Sequence, residues 1–158
     1  MKKISIILLI IWMIIIFLLS NQPANISTET STNFTRTIIN IVNNITGNNI
    51  DEEQIEIIVD NTFTLVRKLA HITEYLILGI LMINVVKDYQ KNIKKVIIIS
   101  LLCCILYACT DEIHQLFVPG RSGQVLDVFI DTIGSIIGIF SYKHIYNLLK
   151  IKKILHFS

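Results

Sequence analysis

The sequence predicts an all-α integral membrane protein: a bundle of four membrane-spanning helices with amphipathic helices between the first and the second. Of its 158 residues, 53% are hydrophobic and 16% are charged, whereas about a quarter of the residues in a soluble domain are charged. The apolar residues form long blocks with no strand-like alternation, as helices that cross lipid require. We therefore expect a single membrane domain over residues 1–158.

The apolar blocks predict membrane spans at about residues 4–20, 65–86, 94–113 and 124–146. The first block follows two lysines, as a secretory signal peptide would. It is nevertheless about as long as a membrane span, and Ser20-Asn21-Gln22-Pro23 offers no small-x-small cleavage site. We therefore interpret it as the first membrane helix.

The polar segment 21–64 between the first two spans is predicted to contain helices outside the membrane. Its first half carries apolar residues at helical spacing, which favours a helix on the membrane surface: Phe34, Ile38, Ile41, Val42 and Ile45. Thr46-Gly47-Asn48 ends that pattern. Asn49 followed by Glu52 then predicts a capping box that opens a second amphipathic helix.

Lysine and arginine predict the orientation, because these residues accumulate in cytoplasmic loops. If both termini are cytoplasmic, 10 of the 14 basic residues face the cytoplasm. The other four face outward: Arg36, Arg67, Lys68 and Arg121. We therefore expect a multi-pass protein of the bacterial plasma membrane with both termini in the cytoplasm. Its basic tail is expected to contact anionic lipid, not nucleic acid.

This topology brings the polar residues of several helices to the outer end of the bundle. Arg67, His71 and Glu74 are spaced to share one helix face, and Asp127 and Asp131 precede a Gly134-x-x-x-Gly138 pattern that lets another helix approach closely. Ionisable residues within a membrane usually mark functional sites. The expected site residues are Gln22, Arg67, Lys68, His71, Glu74, Asp111, Glu112, His114, Gln115, Arg121, Asp127 and Asp131.

Three interpretations of this cluster stay open at the level of sequence. In an active site, Glu74, His71, Glu112, His114 and Asp131 would be the catalytic acids and bases, and the other residues would bind an anionic substrate. In a scaffold or binding module, ion pairs such as Arg67–Glu74 and Arg121–Asp127 would join the helices. A metal site would use the His71-x-x-Glu74 and Asp111-x-x-His114 pairs, but bundle metal sites typically use Glu-x-x-His, so no metal ligand or cofactor is assigned.

The motifs of this chain resemble those of the VanZ-like membrane proteins. The matching stretches, in the family's order, are Ser20–Pro23, Arg67–Tyr75, Asp111–Arg121, and Asp127 and Asp131 with Gly134. The resemblance implies a bacterial envelope protein connected with resistance to teicoplanin, a lipoglycopeptide antibiotic. Its expected partners are the lipid bilayer and either a lipid-linked cell-wall precursor or the lipoglycopeptide. The resemblance implies neither a mechanism nor an oligomeric state.

Overall fold

A computed structural model describes residues 2–47 and 50–155, and the side chains of these residues up to His144. Within this part of the chain there are five helices and no strand, which confirms the predicted all-α fold. The helices are α1 (Lys2–Ser20), α2 (Ala24–Thr46), α3 (Glu52–Val86), α4 (Ile93–Gln115) and α5 (Val125–Leu155).

Four of the helices are long and apolar enough to cross a membrane: α1, α3, α4 and the Val125–His144 part of α5. The 35 residues of α3 exceed the roughly 20 that span a bilayer core. One part of α3 therefore extends beyond the apolar layer. The end of the bundle at which α1 and α4 finish and α5 begins is called the polar end below.

Helix α2 packs antiparallel to the N-terminal part of α3, so the two helices form a hairpin. Arg36 of α2 forms ion pairs with Glu52, at 3.9 Å, and with Glu56. At the tip, the Asn43 side chain accepts a hydrogen bond from the Ile50 N–H (3.1 Å) and donates one to the Ile50 carbonyl (3.2 Å). These contacts fix the direction in which α2 leaves the polar end.

The second predicted amphipathic helix differs from the expectation, because it continues into the second membrane span as one helix, α3. Asn49 of the predicted capping box lies outside the described residues. The N-cap of α3 is Asp51, whose side chain accepts a hydrogen bond from the Gln54 N–H at 2.8 Å. An aspartate cap satisfies a backbone N–H of the first turn, as the predicted box would have done.

Glycines bring α3 and α5 into direct backbone contact. A Cβ atom at Gly134 or Gly138 would overlap the carbonyl oxygens of Ile72 and Leu76 on α3, and one at Gly79 would meet the backbone of Ser135. The predicted close approach along this stripe is therefore present. Asp131, which lies on the same stripe three residues before Gly134, is completely buried.

Helix α1 is held against α3 and α4 by two hydrogen bonds to backbone carbonyls. The Trp12 Nε1–H donates to the Glu74 carbonyl at 2.9 Å, and the Tyr107 hydroxyl donates to the Met13 carbonyl at 2.6 Å. Around them lies an apolar core of residues from α1, α3 and α4: Leu9, Ile16, Tyr75, Leu78, Met82, Cys104 and Ala108. The hydrogen bond from Trp12 to the Glu74 carbonyl fixes the position of α1 along the bundle axis relative to the polar end.

The connection between α4 and α5 closes the polar end. It turns at Gly120, whose φ of 75° favours glycine. The Ala24 N–H, at the start of α2, donates to the Pro119 carbonyl at 3.2 Å. The start of α2 and the α4–α5 connection are therefore joined by a hydrogen bond at the polar end.

Candidate functional site

A polar cavity of about 120 Å³ lies at the polar end between α1, α2 and α3. Arg67, His71 and Glu74, on one face of α3, line it together with Arg121 of the α4–α5 connection. Ser20 and Gln22 contribute the wall from the end of α1. We call this space the first cavity. Residues that are distant in sequence therefore line one space at this end.

A second cavity of about 210 Å³ lies on the other side of Arg67, His71 and Arg121, which line both spaces. Its further polar lining consists of Thr64, Lys68, Gln115, Ser122, Gln124 and Asp127. The two cavities therefore share a wall made of two guanidinium groups and an imidazole.

Arg121 is positioned by hydrogen bonds to uncharged groups. Its Nε donates to the Gln22 carbonyl at 3.1 Å and its Nη1 to the Gln115 Oε1 at 3.4 Å, while Gln115 Nε2 donates to the Ser20 Oγ at 3.0 Å. Burial, followed by the nearby positive charge of Arg67, lowers the pKa of Arg121 from its ordinary value. Arginine nevertheless keeps its proton in proteins.

Arg67 and Arg121 therefore place two positive charges at the same cavities. In the part of the chain that the structure describes, neither guanidinium forms an ion pair with a carboxylate. Two neighbouring guanidinium groups whose N–H donors are not taken up by carboxylates are well suited to bind a phosphate or carboxylate ligand.

Three carboxylates lie together behind the first cavity. Asp111 and Glu112, in the last turn of α4, and Asp131 of α5 each offer an oxygen within 4.8 Å of the others. All three side chains are buried, and Asp131 is 0% exposed. Glu112 Oε2 accepts a hydrogen bond from the Gln124 N–H at 2.8 Å. We call these residues the carboxylate triad.

His71 connects the first cavity with the triad. Its Nδ1 lies 3.6 Å from Asp131 Oδ1, close enough for an ion pair if the imidazole is protonated. This distance is too long for a hydrogen bond, and Nδ1 has no hydrogen-bond partner among the described residues. Glu74 lines the same cavity on the next turn of α3. The imidazole is thus the titratable group between the cavity and the buried carboxylates.

A family model described as VanZ/LLP1 matches residues 5–150, nearly the whole chain. The chain belongs to the VanZ/LLP1 family. No curated protein and no solved structure matches it. Both cavities and the triad lie within the residues that the VanZ/LLP1 model matches, and the predicted resemblance is confirmed.

One predicted site residue of this VanZ/LLP1 protein, His114, lies away from the others. Its Nε2 is 3.2 Å from Asn21 Oδ1, and its ring packs against Phe17 at 4.5 Å between centroids. His114 lines neither cavity. The one-turn spacing from Asp111 placed it on α4 correctly, but the helix directs its side chain toward the end of α1.

The predicted ion pairs Arg67–Glu74 and Arg121–Asp127 are absent from the described part of the VanZ/LLP1 chain. Arg67 and Glu74 line the first cavity without joining, and Arg121 is held by Gln22 and Gln115. The interpretation of the cluster as a network of salt bridges therefore loses the two pairs on which it was based.

Tyr75 is a polar residue at the polar end that is not among the site residues expected from the sequence. It is fully buried, its hydroxyl has no hydrogen-bond partner among the described groups, and its ring lies 6.3 Å from that of Tyr107 on α4. Its position four residues after His71 was a signal that it shares the face of α3 that carries the site.

Replacing Asp131 by Asn tests whether the triad is a stabilising element of this VanZ/LLP1 protein. We expect Asp131→Asn to leave the free energy of unfolding unchanged or to raise it, because it removes one of three buried, crowded carboxylate charges. Thermal unfolding of the detergent-solubilised protein is the measurement, with a chelator present so that no divalent cation contributes.

The matched control is Glu56→Gln, which removes an exposed ion pair and should change little. A loss of about 3–5 kcal/mol for Asp131→Asn, as for a broken buried ion pair, would contradict this prediction and support a structural His71–Asp131 pair.

Proposed function

We propose that this VanZ/LLP1 protein acts in the bacterial plasma membrane by binding the anionic headgroup of an amphiphilic envelope molecule at its polar end. The candidate ligands are a lipid-linked cell-wall precursor and a lipoglycopeptide. Through this binding the protein contributes to glycopeptide resistance, with teicoplanin as the antibiotic that the family resemblance indicates. The observation that carries the proposal is the pair of guanidinium groups, Arg67 and Arg121, that line the cavities and form no ion pair with a carboxylate of the described residues.

An apolar groove beside the first cavity supports an amphiphilic ligand. The groove has a volume of about 500 Å³ and runs between α1, α2 and α3. It shares the residues Arg67 and Glu74 with the first cavity. Its apolar part is lined by Trp12, Phe34, Ile38, Leu69 and Ile77. A ligand could therefore place an acyl or isoprenoid chain in the groove and an anionic group against the guanidinium groups.

The polar end is proposed to face outward, where cell-wall precursors and antibiotics are present. The support is the distribution of lysines, which are concentrated in the N-terminal residues, the connection between α3 and α4, and the C-terminal part of α5. All three segments lie at the opposite end of the bundle from the carboxylate triad. In this orientation the α2–α3 hairpin extends into the extracytoplasmic space.

Proton transfer is a second candidate function, favoured by one observation. His71 lies between Glu74, which lines the first cavity, and the buried carboxylate of Asp131. An imidazole with a carboxylate behind it is an arrangement used for general acid–base catalysis. Binding and acid–base chemistry would use the same cavity, so the chain can be tested for both.

Removing the Arg67 charge should weaken ligand binding. Arg67→Gln is expected to reduce the affinity for a polyisoprenyl phosphate by about tenfold or more, because a charge-assisted hydrogen bond contributes about 1.5–3 kcal/mol. The measurement is ligand retention by native mass spectrometry of protein in detergent, with the unphosphorylated polyisoprenol as a comparison.

Arg36→Gln is the control, because Arg36 pairs with Glu52 and Glu56 on the hairpin, away from the cavities. Equal binding by wild type and Arg67→Gln, or equal retention of the phosphorylated and unphosphorylated lipids, would refute the anion site.

The orientation predicts where engineered cysteines react. In intact cells, a membrane-impermeant maleimide should label Glu53→Cys at the hairpin and should leave Lys91→Cys unlabelled until the membrane is permeabilised. Both positions are exposed. The wild-type chain, with Cys103, Cys104 and Cys109, is the control for background labelling. Labelling of Lys91→Cys in intact cells would show the opposite orientation.

Resistance should depend on the residues that line the first cavity. In cells that rely on this protein for teicoplanin resistance, His71→Asn and Arg67→Gln should lower the minimal inhibitory concentration to the level without the protein. His114→Asn should retain resistance, because His114 lies against Asn21 and Phe17. The amount of folded protein in the membrane is measured in parallel. If His71→Asn and Arg67→Gln retained resistance at normal protein levels, resistance would not depend on the first cavity.

A further inference from the structure

The carboxylates of the triad are buried close together, and the described residues offer too few positive charges to neutralise them. Asp111, Glu112 and Asp131 offer oxygens within 4.8 Å of one another, and all three are buried. No lysine or arginine forms an ion pair with any of them in the described part of the chain, and His71 reaches only Asp131. Three carboxylates so close together in an apolar surrounding require protons or a cation.

The unpartnered oxygen atoms indicate where such a cation would lie. Oδ2 of Asp111, Oε1 of Glu112 and both carboxylate oxygens of Asp131 are buried and have no hydrogen-bond partner among the described residues. Buried polar atoms in native proteins are nearly always hydrogen-bonded. One carboxylate oxygen in this position would be an exception, but four in one cluster indicate a missing partner that several of them share.

Tyr75 supplies an observation that is independent of the carboxylates. Its side chain is 0% exposed and its hydroxyl has no hydrogen-bond partner among the described residues. Its ring lies 6.3 Å from that of Tyr107, which precedes Asp111 by one turn of α4. The Nδ1 atom of His71 is also buried without a hydrogen bond, 3.6 Å from Asp131. Polar groups from α3 therefore border the same place as the acidic groups from α4 and α5.

We propose that Asp111, Glu112 and Asp131 bind a hard divalent cation, with Ca²⁺ as the preferred ion. Carboxylate oxygens are the ligands that Ca²⁺, Mg²⁺ and Mn²⁺ favour. Ca²⁺ accepts oxygen ligands in flexible arrangements, whereas Mg²⁺ demands a nearly ideal octahedron. Carboxylates that two different helices bring within 4.8 Å of one another therefore suit Ca²⁺ better than Mg²⁺.

The cation would join α4 and α5 at the polar end. Asp111 and Glu112 are in the last turn of α4, and Asp131 is in the second turn of α5, behind the connection that carries Arg121. Binding should therefore stabilise the fold. This inference does not rest on the proposed function, because cation binding is measured without any lipid or antibiotic.

The experiment is a calcium titration of the purified full-length protein after chelator treatment and removal of the chelator. We expect a saturable rise in melting temperature, with one Ca²⁺ bound per chain by equilibrium dialysis. Asp131→Asn and Glu112→Gln should each weaken binding by about tenfold or more, because the affinity of calcium sites depends on the number of charged ligands. Glu56→Gln, an acidic position on the exposed surface of the hairpin, should bind as the wild type does.

Terbium luminescence gives a second readout that does not depend on folding yield. Tb³⁺ replaces Ca²⁺ in oxygen sites and emits when a nearby tyrosine is excited. We expect sensitised emission from the wild type that Ca²⁺ displaces. Tyr75→Phe should lose part of that emission and largely keep the Ca²⁺ affinity, because Tyr107, with its ring 6.3 Å from that of Tyr75, also excites Tb³⁺.

Several outcomes would overturn the proposal. One is the absence of any calcium-dependent rise in melting temperature together with no bound Ca²⁺; the triad would then be held by protons. Another is a double variant, Glu112→Gln with Asp131→Asn, that binds Ca²⁺ as tightly as the wild type. A response to Mg²⁺ that equals or exceeds the response to Ca²⁺ would refute the choice of ion.

Discussion

The contact between the backbones of α3 and α5 determines where the polar groups of this protein can lie. Gly134 and Gly138 have no side chain to hold the helices apart, so α5 rests against the carbonyl groups of Ile72 and Leu76. Asp131, three residues before Gly134, is then buried between the helices and does not reach lipid. The same contact brings His71 of α3 within 3.6 Å of that carboxylate. The site therefore depends on two small residues that take no part in its chemistry.

At the polar end the positively charged groups are separated from the negatively charged ones, and this separation leaves both sets, within the described part of the chain, without ion pairs to each other. Arg67 and Arg121 line the two cavities, where neither forms an ion pair among the described residues, and the carboxylate triad lies behind them. In a salt-bridge network these groups would have paired with each other. Because these groups are not neutralised by each other, the separation is the basis of both the proposed anion site at the guanidinium groups and the proposed cation site at the carboxylates.

The features that depend on local pattern could be predicted from the sequence. Long apolar blocks indicated the four candidate spans, and the spacing of Arg67, His71 and Glu74 placed them on one face of α3. The direction of each side chain after helix packing could not be predicted in this way. His114 points toward Asn21 because α1 ends beside it, and Tyr75 is buried beside Tyr107 of α4. The continuous helix α3 was also missed, because polar residues before Leu65 end the apolar pattern without ending the helix.

The most direct test is an experimental structure of the protein in lipid nanodiscs, in which the contact between α3 and α5 and the distances among the triad oxygens are measured. We expect the backbone of Gly138 to touch the carbonyl of Leu76, and oxygens of Asp111, Glu112 and Asp131 to lie within 4.8 Å of one another. A structure in which α5 is rotated so that Asp131 faces lipid, or in which α4 and α5 hold these carboxylates apart, would contradict this expectation.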